Sequence, residues 1–140
     1  MNVSDFNFIL KKHNLTIAIA ESITAGLLTA TITSVAGASS VLKGGIVTYQ
    51  EELKIKLLGV NPETLKVYSA ESMETTIEMV RGLANLGLNS DIYVAILFKN
   101  KLSTFETILK TDSQKDSRNQ IREKTVEFVF DKIIHVVSKH

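Results

Sequence analysis

Apolar residues in the first part of this chain follow two different spacings. Helical spacing opens the sequence at three apolar positions: Phe6, Ile9 and Leu10. Ser4 or Asp5 precedes them and is the expected N-cap of this helix. The run LTIAIA (15–20) has strand length and contains one threonine among apolar residues, which is typical of a strand buried on both faces. The pattern therefore predicts a helix followed by a buried strand.

Helical spacing then returns and is followed by a second strand. Four apolar positions and a terminating glycine predict the second helix: Leu27, Leu28, Ile32, Val35 and Gly37. The run IVTYQ (46–50) is rich in β-branched residues and predicts the second strand. A short helix is predicted from EELKIKLLG and is expected to end at Gly59. Asn61, Pro62 and Glu63 have the order of a cap, a first-turn proline and a first-turn acid, so they predict another helix.

The last part of the chain predicts two helices around a pair of strands. The segment SAESMETTIEMVRGLANLG predicts an amphipathic helix with these inward positions: Met73, Ile77, Val80 and Leu83 or Ala84. DIYVAILF and STFETILKT predict a third and a fourth strand, which KNKL is short enough to join as a hairpin. A final helix is predicted from about Asp116 to Val137, with four inward positions: Ile121, Val129, Ile133 and Val136.

This order of elements predicts the α/β class, as a three-layer α/β/α sandwich with a mixed, mostly parallel sheet. The chain has 140 residues and no linker that divides it, so we expect a single domain over residues 1–140. It contains no cysteine, which excludes disulfides, thiolate metal sites and cysteine nucleophiles.

Charge and hydropathy exclude two classes of partner. With 16 basic and 15 acidic side chains the net charge is +1, which argues against a nucleic-acid-binding protein. Between Asn14 and Leu42 the only charged residue is Glu21, but serines, threonines and glycines interrupt that stretch too often for a membrane span. The first residues lack the order of a signal peptide. We expect a cytoplasmic protein that contacts neither nucleic acid nor membrane.

The junction A-E-S-I-T-A-G (20–26), between the first strand and the second helix, carries the most informative polar residues. Ligands of open α/β sheets bind beyond the carboxyl ends of the strands. Glu21, Ser22 and Thr24 offer a carboxylate and two hydroxyls there, beside Gly26. Amides at the start of a helix are able to hold an anion or a developing oxyanion. The alternative interpretation is that Ser22 or Thr24 only caps the helix.

A serine nucleophile needs a base, and none of the three histidines is suitably placed. No histidine pair has i, i+4 spacing and no carboxylate cluster frames one, so we expect neither a metal site nor a Ser-His-Asp triad. Lysine replaces histidine in some serine enzymes. Lys54 and Lys56 follow the second strand, and Tyr49 lies at its end. The alternatives are a solvated helix face for Lys54 and strand packing for Tyr49.

Taken together, these residues resemble the C-terminal domain of the CinA family, which also occurs as stand-alone nicotinamide-nucleotide amidases. The first motif resembles the family's A-E-S-C-T-G-G. AGASSVLKGGIVTYQEELK resembles G-S-S…F…G-x-V-x-Y-x-N-x-x-K, and SAESMETTIEMVRG resembles G-A-V-S-E-x-V…M-A-x-G. Arg118 and Arg122 have the spacing of the arginines in D-R-x-x-V-R. The resemblance covers nearly the whole chain and is most specific before about residue 85.

The resemblance implies an amidohydrolase that converts nicotinamide mononucleotide and water to nicotinate mononucleotide and ammonia, without a cofactor. Carried over by position, Ser22 is the nucleophile, and Tyr49 and Lys54 are its activating partners. The other matched positions are the expected substrate-binding residues: Glu21, Thr24, Ala25, Gly26, Ser39, Ser40, Ser72, Arg118 and Arg122. The expected partner is a small nucleotide or carboxamide, and the arginines suit a phosphate.

Three differences from the family pattern leave a second function open. Ala25 replaces a glycine, Met73 replaces a glutamate, and A-I-L-F-K-N-K-L-S replaces the loop G-x-A-G-P-x-G-G that helps to build the family's substrate pocket. The alternative to an amidase is therefore an inactive or substrate-altered domain that acts as a ligand-binding or assembly module. We also expect a homo-oligomer, because Phe98 and Phe105 lie at apolar positions of the predicted hairpin.

Overall fold

A computed structural model describes the protein over residues 1–96, 101–104, 107–110 and 117–139, by the main chain alone in the two middle ranges. The helices are α1 (Val3–Lys12), α2 (Leu27–Thr33), α3 (Glu51–Leu58), α4 (Pro62–Tyr68), α5 (Met73–Ala84) and α6 (Arg118–Val137). The strands are β1 (Ile17–Glu21), β2 (Leu42–Val47), β3 (Ile92–Ile96), β4 (Lys101–Thr104) and β5 (Thr107–Lys110). A 3-10 turn, Ala38–Ser40, precedes β2.

Strand β1 lies at the centre of a parallel sheet with the order β2-β1-β3. Its last residue, Glu21, pairs with Val47 of β2 and Ile96 of β3, so the carboxyl ends of the three strands meet at one edge. All five residues of β1 are buried, as the apolar run predicts. A strand that has neighbouring strands on both sides and helices on both faces exposes no side chain to solvent. This burial explains why the residues of β1 are mostly apolar.

The alternation of side chains along β1 divides the interior into two cores. Ile17 and Ile19 face a core that α1, α2 and α6 cover. Ala18 and Ala20 face a second core, which α3, α4 and α5 cover. Helices therefore flank both faces of a parallel sheet, and the predicted α/β class is confirmed.

The antiparallel part of the fold is a separate two-stranded ladder. Strand β4 pairs with β5, from Lys101 opposite Lys110 to Thr104 opposite Thr107. The prediction of STFETILKT as one strand paired with β3 is therefore wrong, because this segment is divided between β4 and β5. The connection between β4 and β5 (105–106) is shorter than that between β3 and β4 (97–100), so the observed pairing has the smaller loop-closure entropy cost. Phe98 and Phe105, the expected contacts of an oligomer, lie outside the described residues.

Capping side chains set several helix ends. Gly59 ends α3 with φ 66°, and Asn61 caps α4, both as predicted. The N-cap of α1 is Asn2, whose side chain accepts a hydrogen bond from the Asp5 N–H, so the prediction of Ser4 or Asp5 as the cap is wrong. The predicted positions were too far into the helix by about one turn, because the polar residues of the first turn resemble a cap in sequence.

The bounds of α2 and β2 differ from the prediction. Helix α2 ends at Thr33, before Val35, where the hydroxyls of Thr33 and Ser34 bond to main-chain carbonyl oxygens and so compete with the helical pattern. Strand β2 begins and ends earlier than predicted, since Gly44 and Gly45 are poor strand formers and hide its start. Tyr49 consequently follows the strand instead of belonging to it.

Helix α5 agrees with the predicted inward face in part: Leu83 is buried, and Val80 is partly buried against the same core. Its buried residues are Thr75, Met79 and Leu83. Met73 and Ile77, which were expected inside, are exposed. Close contact between Gly82 and the end of α3 sets this rotation, because a Cβ at Gly82 would clash with main-chain atoms there. A prediction based on the spacing of large apolar residues does not include this contact, because Gly82 has no side chain.

Helix α6 is largely as predicted. Three of its four predicted inward positions are buried: Ile121, Val129 and Ile133. Val136 is exposed and Val137 is buried instead, as the apolar stripe of a straight helix drifts around its axis along a length of 20 residues. The helix begins at Arg118 and is capped by Ser117, whereas the predicted start at Asp116 lies outside the described residues.

Candidate active site

The end of β1 directs two adjacent polar side chains to opposite faces of the sheet. Glu21 continues the alternation of Ile19 and contacts α2, whereas Ser22 continues that of Ala20 and contacts α3. Both side chains lie at the edge formed by the carboxyl ends of the strands, where ligands of such sheets bind. The expected carboxylate and the expected nucleophile therefore have different surroundings.

The Ser22 hydroxyl lies beside a buried amine. Nζ of Lys54, a residue of α3, is 3.1 Å from Ser22 Oγ. Only 1% of Lys54 is exposed, and Nζ also contacts two main-chain carbonyl oxygens, that of Thr48 and, at 3.1 Å, that of Tyr49. The alternative of a solvated face for Lys54 is therefore wrong, because α3 docks with this side chain against the end of β1.

The neighbours of Lys54 decide what its neutral form is able to do. Burial lowers the pKa of Lys54 below its usual range, and the Glu51 carboxylate opposes that shift. A neutral amine has two N–H donors and one lone pair, whereas carbonyl oxygens only accept. As the structure stands, Nζ donates to the Ser22 hydroxyl oxygen and to the Thr48 and Tyr49 carbonyls, which matches the three N–H donors of an ammonium group. Once Lys54 is neutral, the two carbonyls take both remaining donors, and the lone pair is left for the Ser22 hydroxyl proton. The arrangement suits a base that acts on Ser22.

Tyr49 contacts this pair by its main chain. Its carbonyl oxygen accepts from Lys54 Nζ, while its side chain is half exposed. The residue lies between the end of β2 and the start of α3, close to Ser22 as the sequence predicts. The contact with Lys54 is therefore made by the main chain of Tyr49 and not by its hydroxyl.

Glu21 binds the start of α2. Its two carboxylate oxygens accept from the N–H groups of Leu28 at 2.9 Å and Thr29 at 3.0 Å, and the Thr29 hydroxyl donates to one of them as well. A negative charge at this position stabilises the positive end of the helix. Both oxygens of this fully buried side chain are therefore hydrogen-bonded to α2. Glu21 stabilises the connection between β1 and α2.

Among the described residues, the turn between β1 and α2 pairs only some of its main-chain amides. The N–H of Ala25 donates to the Ser22 carbonyl, and that of Leu27 donates to the Thr24 carbonyl. Within the described residues no hydrogen-bond partner exists for three main-chain N–H groups of this turn: Ile23, Thr24 and Gly26. Because Glu21 occupies the first amides of α2, an oxyanion at this site would have to bind the turn.

An open groove of about 430 Å³ adjoins this turn. Its lining combines the turn with the first part of α6: Thr24, Ala25, Gly26, Leu27, Ala30, Asn119, Arg122 and Glu123. Arg122 donates from Nε to the Ile23 carbonyl at 2.9 Å, and Arg118 is exposed at the first residue of α6. Four of the expected binding residues therefore share one groove: Thr24, Ala25, Gly26 and Arg122.

Three expected binding residues lie elsewhere. Ser39 and Ser40 are exposed in the turn before β2, at the amino end of the strands, and the Ser40 hydroxyl donates to the Gly37 carbonyl. Ser72 caps α5, where its oxygen accepts from the Thr75 N–H. The structure does not bring the two turn serines to the Ser22 edge, because the length of β1 separates the two edges of the sheet.

Sequence reasoning missed Thr48 and Thr29. The Thr48 carbonyl accepts from Lys54, and its buried hydroxyl has no hydrogen-bond partner among the described residues. Thr29 extends the Glu21 contact, and a Cβ at Gly45 would lie 2.2 Å from its hydroxyl oxygen. The two-residue alternation of β2 offered a signal for Thr48, because it places this residue on the same side as Ser22.

Two further findings concern partners. In the part of the chain that the structure describes, no three His, Cys, Asp or Glu residues cluster as a metal ion would require. Within that same part, no helix is both long and apolar enough to cross a membrane.

A parallel sheet covered on both faces, with a partly buried serine–lysine pair at its carboxyl edge, defines a three-layer α/β protein. A family model described as the CinA C-terminal domain matches residues 3–97. The chain belongs to this family, as the motifs around Ser22 and Lys54 indicate.

Curated relatives extend the likeness. The chain is 37% identical to the Protein MG115 homolog of Mycoplasma pneumoniae, and the match covers 93% of both chains. It is 43% identical to a CinA-like protein of Fervidobacterium nodosum over 63% of this chain and 21% of that protein, and 35% identical to one of Kosmotoga olearia over 88% and 34%. The chain therefore spans about a fifth to a third of these longer relatives.

Solved structures share the fold. A competence-damaged protein (CinA) superfamily protein from Klebsiella pneumoniae has a TM-score of 0.81 at 22% identity, with both chains fully covered. One from Escherichia coli has a TM-score of 0.82 at 19% identity, covering 96% of this chain and 87% of that one. At these identities the comparison supports the fold alone.

Proposed function

We propose that this protein is a serine amidohydrolase, with Ser22 as nucleophile and Lys54 as general base, that hydrolyses the carboxamide of nicotinamide mononucleotide or a related compound. One observation carries the proposal: a buried amine of lowered pKa lies 3.1 Å from a serine hydroxyl, and its other polar contacts are carbonyl oxygens.

The first half-reaction forms an acyl-enzyme. Ser22 Oγ attacks the carboxamide carbon while its proton passes to Lys54 Nζ, and the carbonyl oxygen becomes an oxyanion. The unpartnered amides of Ile23, Thr24 and Gly26 are the candidates for binding that oxygen. The C–N bond then breaks, Lys54 returns the proton to the leaving nitrogen, and ammonia departs.

The second half-reaction regenerates the serine. Lys54 is neutral again, so it takes a proton from a water molecule that attacks the ester carbonyl. Collapse of this second intermediate breaks the bond to Ser22 Oγ, which regains a proton from Lys54. The products are the carboxylic acid and ammonia, which become carboxylate and ammonium when the acid ionises, and the reaction requires no cofactor.

The groove beside the turn is proposed to hold the part of the substrate remote from the carboxamide, because Ser22 and Lys54 do not line this groove. Its volume of about 430 Å³ lies in the usual range of small-molecule sites. Arg118 is the candidate phosphate ligand, because it is exposed at the start of α6 and its forked donors match phosphate oxygens. The half-exposed side chain of Tyr49 is proposed to contact the substrate as well.

Ammonia release from nicotinamide mononucleotide tests the proposal. We expect release by the wild type, loss of it in Ser22→Ala, and full activity in Ser34→Ala, a matched variant whose hydroxyl bonds to the Thr31 carbonyl at the end of α2. Melting temperatures should agree within a few degrees. A folded wild type that binds the nucleotide but releases no ammonia, from it or from a panel of other carboxamides, would contradict the proposal and favour a ligand-binding module.

A further inference from the structure

The turn that carries Ser22 is held by a residue distant in sequence. Arg122 Nε donates to the Ile23 carbonyl at 2.9 Å, from the first turns of α6. Ile23 and Ile121 are buried in the same core, so the contact is made where α6 packs on the turn. A hydrogen bond from a guanidinium is roughly twice as strong as one between neutral groups.

The planarity of the peptide bond extends the effect of this contact. The Ile23 carbonyl and the Thr24 N–H belong to one rigid trans peptide unit and point in opposite directions. Arg122 holds the oxygen at one edge of the peptide unit. The Thr24 N–H, at the opposite edge, therefore points away from Arg122. That N–H is one of the turn amides without a hydrogen-bond partner in the described residues.

The next two residues make such support necessary. Ala25 has φ 53° and Gly26 has φ 99°, so two consecutive residues adopt the left-handed region. For Ala25 this conformation is unfavourable, and strained backbone persists only where surrounding contacts determine it. Glu21 fixes the turn at the α2 side, and Arg122 fixes the peptide that precedes the strained pair.

We propose that Arg122 is a positioning residue, which holds the Ile23–Thr24 peptide so that the Thr24 N–H points at the oxygen of the bound carboxamide. This role rests on the proposed amidase function. It differs from the phosphate contact that the arginine spacing suggests, because the Nε donor of Arg122 is engaged with the protein main chain.

Hydrogen exchange tests the positioning without any substrate. The amides of Ala25 and Leu27 are hydrogen-bonded within the turn, so their exchange reports whether it opens. We expect both to exchange about tenfold faster or more in Arg122→Gln, while the Ile92 amide, bonded to Thr16 at the far edge of the sheet, keeps its wild-type rate. The matched variant Arg118→Gln should leave all three rates unchanged.

Kinetics with and without the phosphate separate the two roles of an arginine. For nicotinamide mononucleotide and for nicotinamide riboside alike, we expect Arg122→Gln to lower kcat by about 10- to 100-fold with little change in KM. Arg118→Gln should instead raise KM for the phosphorylated substrate only. A higher KM confined to the phosphorylated substrate in Arg122→Gln, with wild-type exchange, would overturn the proposal.

The outcomes also separate this inference from the amidase proposal. If the wild type releases no ammonia from either substrate or from the panel of other carboxamides, the amidase proposal fails. Faster exchange at Ala25 and Leu27 in Arg122→Gln would then still support the positioning of the turn, whereas unchanged exchange overturns it whatever the activity.

Discussion

Two adjacent residues, Glu21 and Ser22, show how a single strand end supplies both support and chemistry. Side chains of a strand alternate between its faces, so one of the pair meets α2 and the other meets α3. The Glu21 carboxylate accepts hydrogen bonds from two amides of α2, whereas the Ser22 hydroxyl lies beside Lys54. A shift of the junction by one residue would exchange these surroundings and remove the serine–lysine contact.

The buried hydroxyl of Thr48 gives a prediction at this scale. An unpartnered buried polar group costs about 1–3 kcal/mol, and valine has the same shape without the hydroxyl. We expect Thr48→Val to raise the free energy of unfolding by about 1 kcal/mol. The control is Thr125→Val, which loses a hydrogen bond to the Ile121 carbonyl and should be no more stable than the wild type. Urea unfolding that shows Thr48→Val to be the less stable of the two would contradict this.

At the scale of elements, Gly82 determines how α5 packs on α3. A Cβ built at Gly82 would lie 1.7 Å from the Leu58 carbonyl oxygen, and a main-chain atom is unable to move aside as a side chain does. We expect Gly82→Ala to destabilise the protein by about 1–3 kcal/mol, although alanine favours helices.

The matched control for Gly82 is Gly44→Ala in β2, where a Cβ meets no atom within 4 Å. Its free energy of unfolding should equal or exceed that of the wild type. Equal stability of the two variants in urea unfolding would show that the contact between α3 and α5 is not tight.

Elements with local signals were predictable from the sequence. The buried run of β1 and the caps Gly59 and Asn61 depend on neighbouring residues, and these predictions are confirmed. The inward face of α5 and the start of β2 depend on glycines that admit close contacts, and glycine has no apolar signal. The start of β2 and two of the inward positions of α5, Met73 and Ile77, were therefore predicted wrongly.

The candidate site was predictable in part. Strand ends and motif spacing bring Ser22, Tyr49 and Lys54 to one edge. The burial of Lys54 results from the docking of α3 on the sheet, and the Arg122 contact joins residues 99 positions apart. Neither feature is predictable from neighbouring residues in the sequence.

At the scale of the whole molecule, α6 completes a core that the family match leaves uncovered. The family model ends at residue 97, yet α6 contributes several buried residues beside α1 and α2. Phe130 of α6 stacks on Phe6 of α1, with ring centroids 4.3 Å apart. The first and the last helix therefore stabilise each other.

A truncation in this contact tests the role of α6. Phe130 is 2% exposed, and replacing a buried phenylalanine by alanine costs about 3–5 kcal/mol. We expect Phe130→Ala to lose that much in urea unfolding, whereas Phe8→Ala, at a residue of α1 that is 66% exposed, should change stability by less than about 1 kcal/mol. Similar losses in the two variants would contradict the packing of α6 on α1.

The rate at which a fluorophosphonate labels Ser22, followed against pH, tests the central claim most directly and needs no natural substrate. Labelling forms a bond from Ser22 Oγ to phosphorus, expels fluoride and transfers the serine proton to Lys54. Because burial lowers the pKa of Lys54, the rate should rise with pH through a midpoint below lysine's usual 10.5, and fall below that midpoint, where Lys54 is protonated.

We predict one adduct on Ser22 and a rate lower by on the order of 100-fold in Lys54→Met. Labelling of Ser22 at the same rate and with the same pH profile in Lys54→Met, or labelling no faster than that of the exposed Ser34, would contradict the serine–lysine mechanism.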